Sequence, residues 1–441
     1  MDTEEDRSPP APTAASGWIG GAPASEFLLA NQREQLVGVW VDIPEPKVVA
    51  HVPVAVSIAI DTSGSMSGEK IADARRAALA VVDGLADGDM IALVRFDSEA
   101  RTLVDLTPLD HRTRKRVRAT IAELDARGDT ALFDGVSQAE TRLLHTPDTH
   151  LVRRVVVISD GQATVGPTDP EQLGRLAELG MTRDIQVTAL GVGLDYDEST
   201  LDAFAVRSSG RFYHLEESAE LASIVADEMK LLVTSSAAVA EVEIVPASGV
   251  TVMGVDAART VRTGTALRVP LGAMFAGQRR ELLVRVRLDE RADDHRALAS
   301  LRLHFRDPSN DGVARVHERV VEASLTDDTE LVAAHENDRT QSIIALREAA
   351  VLTGNASHRA NEGDLAVADA ELERAEQTLR ERAHRSKDHV EKQKMVKSAE
   401  RVSRTRAKMK AASSAPAAQR KSAGRSAALE ANDANMAFDG F

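Results

Sequence analysis

The spacing of apolar positions changes twice along this chain, and each change marks a change of architecture. Between about Pro53 and Leu232, short runs in which nearly every residue is apolar, such as Val54-Ala55-Val56-Ser57-Ile58-Ala59-Ile60, alternate with longer segments whose apolar residues recur every three or four positions. The first kind predicts buried strands, centred on Ser57, Ala92, Val156, Thr188 and Phe212. The second predicts helices near 69–87, 110–125, 133–146, 170–180, 198–207 and 217–233; in the first of these Ile71, Ala74, Ala78, Leu79, Val82 and Leu85 form one stripe. Strands and helices in alternation imply an α/β unit over 53–234, a doubly wound, mostly parallel sheet of the Rossmann-like kind with helices on both faces.

After Thr234 the period falls to two, in short segments at 239–245, 266–269, 281–288, 299–305 and 313–323 with no helix between them. That pattern predicts an antiparallel β-sandwich. Two earlier strands, at 27–29 and 36–41 with a polar turn at 31–34 between them, also need partners. We therefore expect the α/β unit to be inserted into a sandwich built from 25–52 plus 235–326. From Asp328 the period lengthens again. One helix is expected to run to about Leu352 and to break at Gly354-Asn355-Ala356-Ser357; a second starts near Asn361 with Leu365, Ala368, Leu372, Ala375 and Leu379 at coiled-coil-like spacing. This predicts a helical hairpin with a basic end over 328–410. Residues 1–24, rich in Pro, Ala, Gly and Ser, are expected to be disordered, and 411–441 to be a flexible tail.

Candidate chemistry sits where the first buried strand ends. Asp61-Thr62-Ser63-Gly64-Ser65 places a carboxylate and two hydroxyls at the carboxyl end of a strand, where open α/β sheets bind ligands, and Gly64 suits the sharp turn that brings the three oxygens together. By itself the pentapeptide also suits the N-cap of the helix starting near Gly68. Two later segments complete an oxygen-donor outline: Arg127-Gly128-Asp129-Thr130 before a helix, and Val155-Val156-Val157-Ile158-Ser159-Asp160-Gly161 at a strand end. Phosphate-binding and covalent alternatives fail on spelling. Gly64 to Lys70 has the wrong spacing for a P-loop and lacks a hydroxyl after the lysine; Met66, not serine, is central between Gly64 and Gly68; and position 63 is Ser where an aspartyl-phosphate phosphatase carries a second Asp.

The Asp-x-Ser-x-Ser, Thr and Ser-Asp-Gly elements, in this order and at these separations, resemble the metal-ion-dependent adhesion site of von Willebrand factor type A domains. Its five positions are filled by Asp61, Ser63, Ser65, Thr130 and Asp160. The resemblance implies a Mg²⁺ site, with Mn²⁺ as the alternative ion. Ser63, Ser65 and, with ligand bound, Thr130 would touch the metal directly, while Asp61 and Asp160 act mainly through water. Neutral hydroxyls with water-holding carboxylates suit an ion that demands octahedral oxygen ligation and keeps its waters. The remaining coordination position would take an Asp or Glu from a protein partner, so the family's usual role is binding, not catalysis. The whole layout is similar to bacterial relatives of calcium-activated chloride channel regulators and inter-α-trypsin-inhibitor heavy chains.

Composition narrows the setting. The chain has 441 residues, enough for two or three domains, and aromatic residues are scarce at 3%, so its cores must be made of Val, Leu, Ile and Ala. Cysteine is absent, which excludes disulfides, thiolate metal sites and cysteine nucleophiles. The acidic start Met1-Asp2-Thr3-Glu4-Glu5-Asp6 does not read as a secretory signal, and no apolar stretch is long enough to span a bilayer, so a cytoplasmic location is expected; the Ala/Arg/Asp-rich composition points to a bacterial source. Net charge is −15, yet 382–425 holds fourteen Lys and Arg against three Asp and Glu. This basic arm has no aromatic residue to stack bases, which argues against specific nucleic-acid recognition and leaves non-specific phosphate contact open. It frames the second reading, an adaptor for an AAA+ ATPase or signalling complex that acts through the helical region with a structural metal. A third, regulation of ion transport, rests on family likeness alone. The closing Ala437-Phe438-Asp439-Gly440-Phe441 could dock on a partner or offer Asp439 to a metal site; an inert end is the default. No Ser-His-Asp set or paired His ligands are legible.

Overall fold

The computed structural model describes residues 18–45, 51–193, 196–215, 221–256, 258–289 and 295–412. Three strands come first: β1 Ile19–Pro23, β2 Phe27–Leu29 and β3 Glu34–Asp42. The inserted unit follows as β4 Val54–Asp61, α1 Glu69–Gly84, β5 Met90–Phe96, β6 Ala100–Pro108, α2 His111–Ala122, α3 Leu132–Leu143, β7 Val152–Ser159, α4 Pro170–Met181, β8 Ile185–Val192, α5 Glu198–Arg207, β9 Arg211–Leu215 and α6 Leu221–Val233. Seven strands continue: β10 Ser235–Pro246, β11 Val250–Val255, β12 Val261–Thr263, β13 Ala266–Phe275, β14 Arg279–Leu288, β15 His295–Asp307 and β16 Val313–Thr326. Four helices close the described chain: α7 Thr329–Ala334, α8 Asp338–Asn361, α9 Leu365–Arg385 and α10 His389–Ala412.

The inserted unit is a six-stranded sheet in the order β6-β5-β4-β7-β8-β9, parallel except for the edge strand β6. Its central strands are buried along their length, Arg153 of β7 alone being half-buried, because helices cover both faces. On one face α1, α2 and α6 contribute Ala74, Val81, Val117, Ile121, Met229 and Leu232 to the core. On the other, α3, α4 and α5 contribute Leu132, Val136, Leu143, Leu173 and Phe204. Where the chain enters and leaves this unit, Val52 N–H donates to the Val233 carbonyl at 2.8 Å, so the two connections are tied to each other.

The remaining strands form two sheets around one apolar core, β1-β3-β14-β11 and β12-β13-β10-β15-β16-β2. One expectation is corrected here. Ordered structure begins before residue 24, since β1 pairs with β3 and Trp18 stacks on Phe305 at 4.7 Å between ring centres. The two strands joined by the polar turn go to different sheets: β2 lies parallel to β16 in one, while β3 pairs with β1 and β14 in the other.

The helical region holds three long helices where a hairpin is expected, and α8 runs unbroken through Gly354-Asn355-Ala356-Ser357. The helices pack as a unit against β3 and β14, with Ile343, Leu346 and Ala349 meeting Leu283, Leu36 and Trp40. Gly38 makes this approach possible, because a Cβ there would lie 2.7 Å from Thr340 Oγ1. The coiled-coil-like stripe of α9 is internal: Ala368, Leu372, Ala375 and Leu379 are buried within the unit. Part of the basic arm is spent inside the molecule, where Arg406 pairs with Asp369 and Glu373, and Lys394 with Glu281. The tail from 413 and the terminal Phe438–Phe441 segment lie outside the described residues. Among the described residues no helix is long and apolar enough to cross a membrane.

Candidate metal centre

Strand β4 lies between β5 and β7, and its all-apolar run carries the Asp61 carboxylate to the sheet's carboxyl edge with no solvent exposure. The chain then turns through a 3₁₀ segment, Gly64–Met66, with Met66 buried beneath it as an anchor. Ser63 is buried and Ser65 exposed, so this turn opens the strand end to solvent on the Ser65 side. The loop before α3 is stitched onto the turn by its backbone: Gly64 N–H donates to the Gly128 carbonyl at 2.9 Å and Arg127 N–H to the Thr62 carbonyl at 2.6 Å. Thr130, buried, is fixed from its other side, since its carbonyl accepts from the N–H groups of Thr164 and Val165 at 3.0 and 3.1 Å and its own N–H donates to Thr164 Oγ1 at 2.9 Å.

Strand β7, the other neighbour of β4, ends in Ser159 and delivers Asp160 beside Asp61. Ser159 Oγ donates to Asp61 Oδ2 at 2.5 Å and accepts from Gly161 N–H at 2.8 Å. Asp61 Oδ1 accepts from Ser63 N–H at 2.8 Å, and the Ser63 and Ser65 hydroxyls are hydrogen-bonded at 3.0 Å. Asp160, also without exposure, accepts from Lys70 Nζ at 2.8 Å. Burial pushes the Asp61 carboxyl up to about 6; the bonds from Ser159 and Ser63 hold it lower than burial alone would, and the nearby Asp160 charge adds to the rise.

Of the five residues singled out in the sequence, Asp61, Ser63 and Ser65 are thus linked by hydrogen bonds, and Asp160 joins them as the chain neighbour of Ser159. Thr130 reaches the same place by its loop, with no direct side-chain bond to the other four. Three further contributors lie outside those five. Ser159 orients Asp61, Lys70 holds Asp160, and Asp97 at the end of β5 anchors the Thr130 loop by accepting Ala131 N–H on its carbonyl at 2.7 Å. Burial pushes the Asp97 carboxyl up, but bonds from Arg127 and the Glu99 N–H and the charge of Arg95 outweigh it and hold it below the usual carboxylate range. Ser159 and Asp97 had local signals, the one by its place just before Asp160 and the other at the end of the apolar run Met90–Phe96, where it reads first as a loop carboxylate; Lys70 had none.

The donors here are all oxygens, two carboxylates and a set of hydroxyls. Among the described residues no three His, Cys, Asp or Glu side chains converge as a metal cage, so a cation at this place must use the hydroxyls. A small hard ion with retained waters fits such a set; a soft ion does not.

Residues 56–227 match the sequence profile of the von Willebrand factor type A domain. The chain contains such a domain. The von Willebrand factor type A domain is commonly a protein-interaction module. Curated relatives include the inter-alpha-trypsin inhibitor heavy chain H4 of Bos taurus, 27% identical over 191 residues, and an uncharacterised protein of Synechocystis, 22% identical over 272 residues. The first alignment covers 41% of this chain and 21% of the heavy chain, so the chain matches about a fifth of the length of that relative; the second covers 59% and 63%. Among solved structures, a von Willebrand factor type A protein from Catenulispora acidiphila superposes with a TM-score of 0.71 at 21% identity, over 87% of this chain and 89% of that one. The ArnB paralog VWA2 from Sulfolobus acidocaldarius superposes with a TM-score of 0.59 at 14% identity, over 95% and 97%. At these identities the superpositions establish the fold, which reaches beyond the domain itself into the flanking sheets and helices.

Proposed function

We propose that this chain binds a protein partner through a divalent cation, Mg²⁺ with Mn²⁺ as a substitute, at the carboxyl edge of the inserted sheet. Ser63, Ser65 and Thr130 supply the hydroxyls that hold the ion, and Asp61 and Asp160 hold its waters and orient the serines. The observation that carries this reading is the hydrogen-bonded cluster at the ends of β4 and β7, in which the Ser63 and Ser65 hydroxyls meet at 3.0 Å above two fully buried carboxylates. When bound, the ion supplies an electrophilic position for an outside oxygen, and the exposed side of the cluster at Ser65 is where a partner's Asp or Glu would reach it.

The reading is non-catalytic. The two carboxylates are engaged by Ser63, Ser159 and Lys70, and the exposed hydroxyl, Ser65, is bonded to Ser63 instead of to a base. Capture of partners on the immobilised chain tests it. Binding is expected to be released by EDTA, restored by Mg²⁺ or Mn²⁺, and lost in Asp61→Ala with the fold retained by circular dichroism. Partners that stay bound in EDTA and on Asp61→Ala would contradict it and move the function to the sandwich or the helices.

A further inference from the structure

Lys70 is the first-turn residue of α1, and its side chain crosses to Asp160, ninety positions later in sequence. Its ammonium donates to Asp160 Oδ2 at 2.8 Å; Asp160 has no solvent exposure and the lysine side chain is 24% exposed. The approach is built on both sides. Gly193, just after β8, has φ of +87°, and a Cβ at that position would lie 2.7 Å from Lys70 Cε and 3.3 Å from its Cδ and Cγ. The stem therefore passes over a residue with no side chain, in a conformation that favours glycine. Two other carboxylates of this sheet edge are committed elsewhere: Asp97 is paired with Arg95 and Arg127, and Asp197 caps α5 through Thr200 and accepts from the Ser199 hydroxyl.

We propose that Lys70 sets the charge of the metal centre. The inference rests on the metal-binding reading above. The Asp61 and Asp160 carboxylates bring two negative charges to the site, and the Lys70 ammonium, 2.8 Å from Asp160, reduces their sum to one. A divalent cation held there keeps a net positive charge, which a carboxylate from outside neutralises. Lys70 thus weakens binding of the bare ion and makes an acidic partner the group that completes the site. A unit charge this close to a divalent ion is worth about tenfold in affinity even when fully screened by water, and more in a half-buried setting.

The test is calorimetric titration of MgCl₂ into the full chain and its Lys70→Met and Lys70→Arg variants, with melting curves in EDTA and in Mg²⁺. Lys70→Met should bind Mg²⁺ about tenfold more tightly or better, melt lower than wild type in EDTA because Asp160 has lost its counter-charge, and gain more from Mg²⁺. Lys70→Arg, which keeps the charge, should stay within about threefold of wild type. If Lys70→Met is misfolded by circular dichroism, Lys70→Gln takes its place. Wild-type binding with equal or weaker binding by Lys70→Met overturns the role given to Lys70 and leaves the metal reading intact. Binding by Lys70→Met alone supports the role of Lys70 and shows that the wild-type site does not load by itself. No binding by any folded variant overturns both.

Discussion

Buried ionisable side chains give this molecule its most specific residue-scale behaviour, and Glu140 is the clearest case. It lies on α3 with 4% exposure, packed against Gly180 of α4, and its Oε1 has no hydrogen-bond partner. Burial pushes its carboxyl up to about 8, with Arg183 opposing the rise only partly. The folded protein therefore keeps a proton that the unfolded chain releases above the ordinary value of 4.5. Its contribution is fully favourable below 4.5 and is lost as pH rises to about 8, at a limiting slope of about 1.4 kcal/mol per pH unit. Glu140→Gln should remove this loss, so that the variant gains on wild type between pH 4.5 and 8 in urea melts; parallel curves would show that Glu140 is ionised in the fold. The same scale shows what a sequence reveals. Asp61, Ser63, Ser65 and Asp160 are legible because they end a buried strand or stand in the turn just after one, in a recognisable order. Lys70 and Glu140 are not, since their state depends on partners or on burial set by elements far away in sequence.

Among the elements, the seam between β3, β14 and the helices is held by charge as well as by apolar contact. Arg339 of α8 stacks 4.6 Å over the Trp40 ring, grips both oxygens of Asp42 at 2.7 Å and reaches Glu281 at 3.2 Å. Asp338 next to it accepts from the N–H groups of Lys387 and Asp388 at 2.9 and 2.7 Å, fixing the turn between α9 and α10. Arg339→Ala removes the close partner of a half-buried Asp42, leaving it Arg279 at 3.8 Å, and one partner of a buried Glu281, so it should cost about 2–4 kcal/mol in chemical denaturation. A cost below about 0.5 kcal/mol would mean the seam is apolar in its energetics. The sequence missed elements for identifiable reasons. Gly354 and its neighbours look like a helix break, but the burial of Thr353 and Ala356 against the unit outweighs a glycine penalty of about 1 kcal/mol. The edge strand β6 escaped because Arg101, Asp105 and Thr107 face solvent or its margin and dilute the apolar pattern. Strong periodicity, as in α1 and α9, was readable because packing and propensity agree there.

For the molecule as a whole, the inserted domain and its host share backbone and side-chain bonds. Besides the Val52–Val233 tie, Gln186 of β8 donates to the Ser209 carbonyl at 2.6 Å and accepts from Ala273 N–H of β13 at 3.0 Å. Below it, Glu228 of α6 is held by Arg211 at 2.9 Å and Tyr213 at 2.8 Å. This places a buried polar network at the junction. The helical unit is equally integral, because Met395, Ala399 and Val402 of α10 complete its core. Cutting after Asp388 should therefore lower the melting temperature by several degrees and expose the stripe of α9, whereas cutting after Ala412 should leave both stability and EDTA-sensitive binding unchanged. Loss of partner capture on the shorter cut alone would assign binding to the tail. Whether a metal sits at this sheet edge is decided by anomalous scattering from crystals grown with Mn²⁺. A single peak at the ends of β4 and β7, bonded to the hydroxyls of Ser63 and Ser65, is the predicted result; no peak there, or a peak elsewhere in the chain, would contradict it.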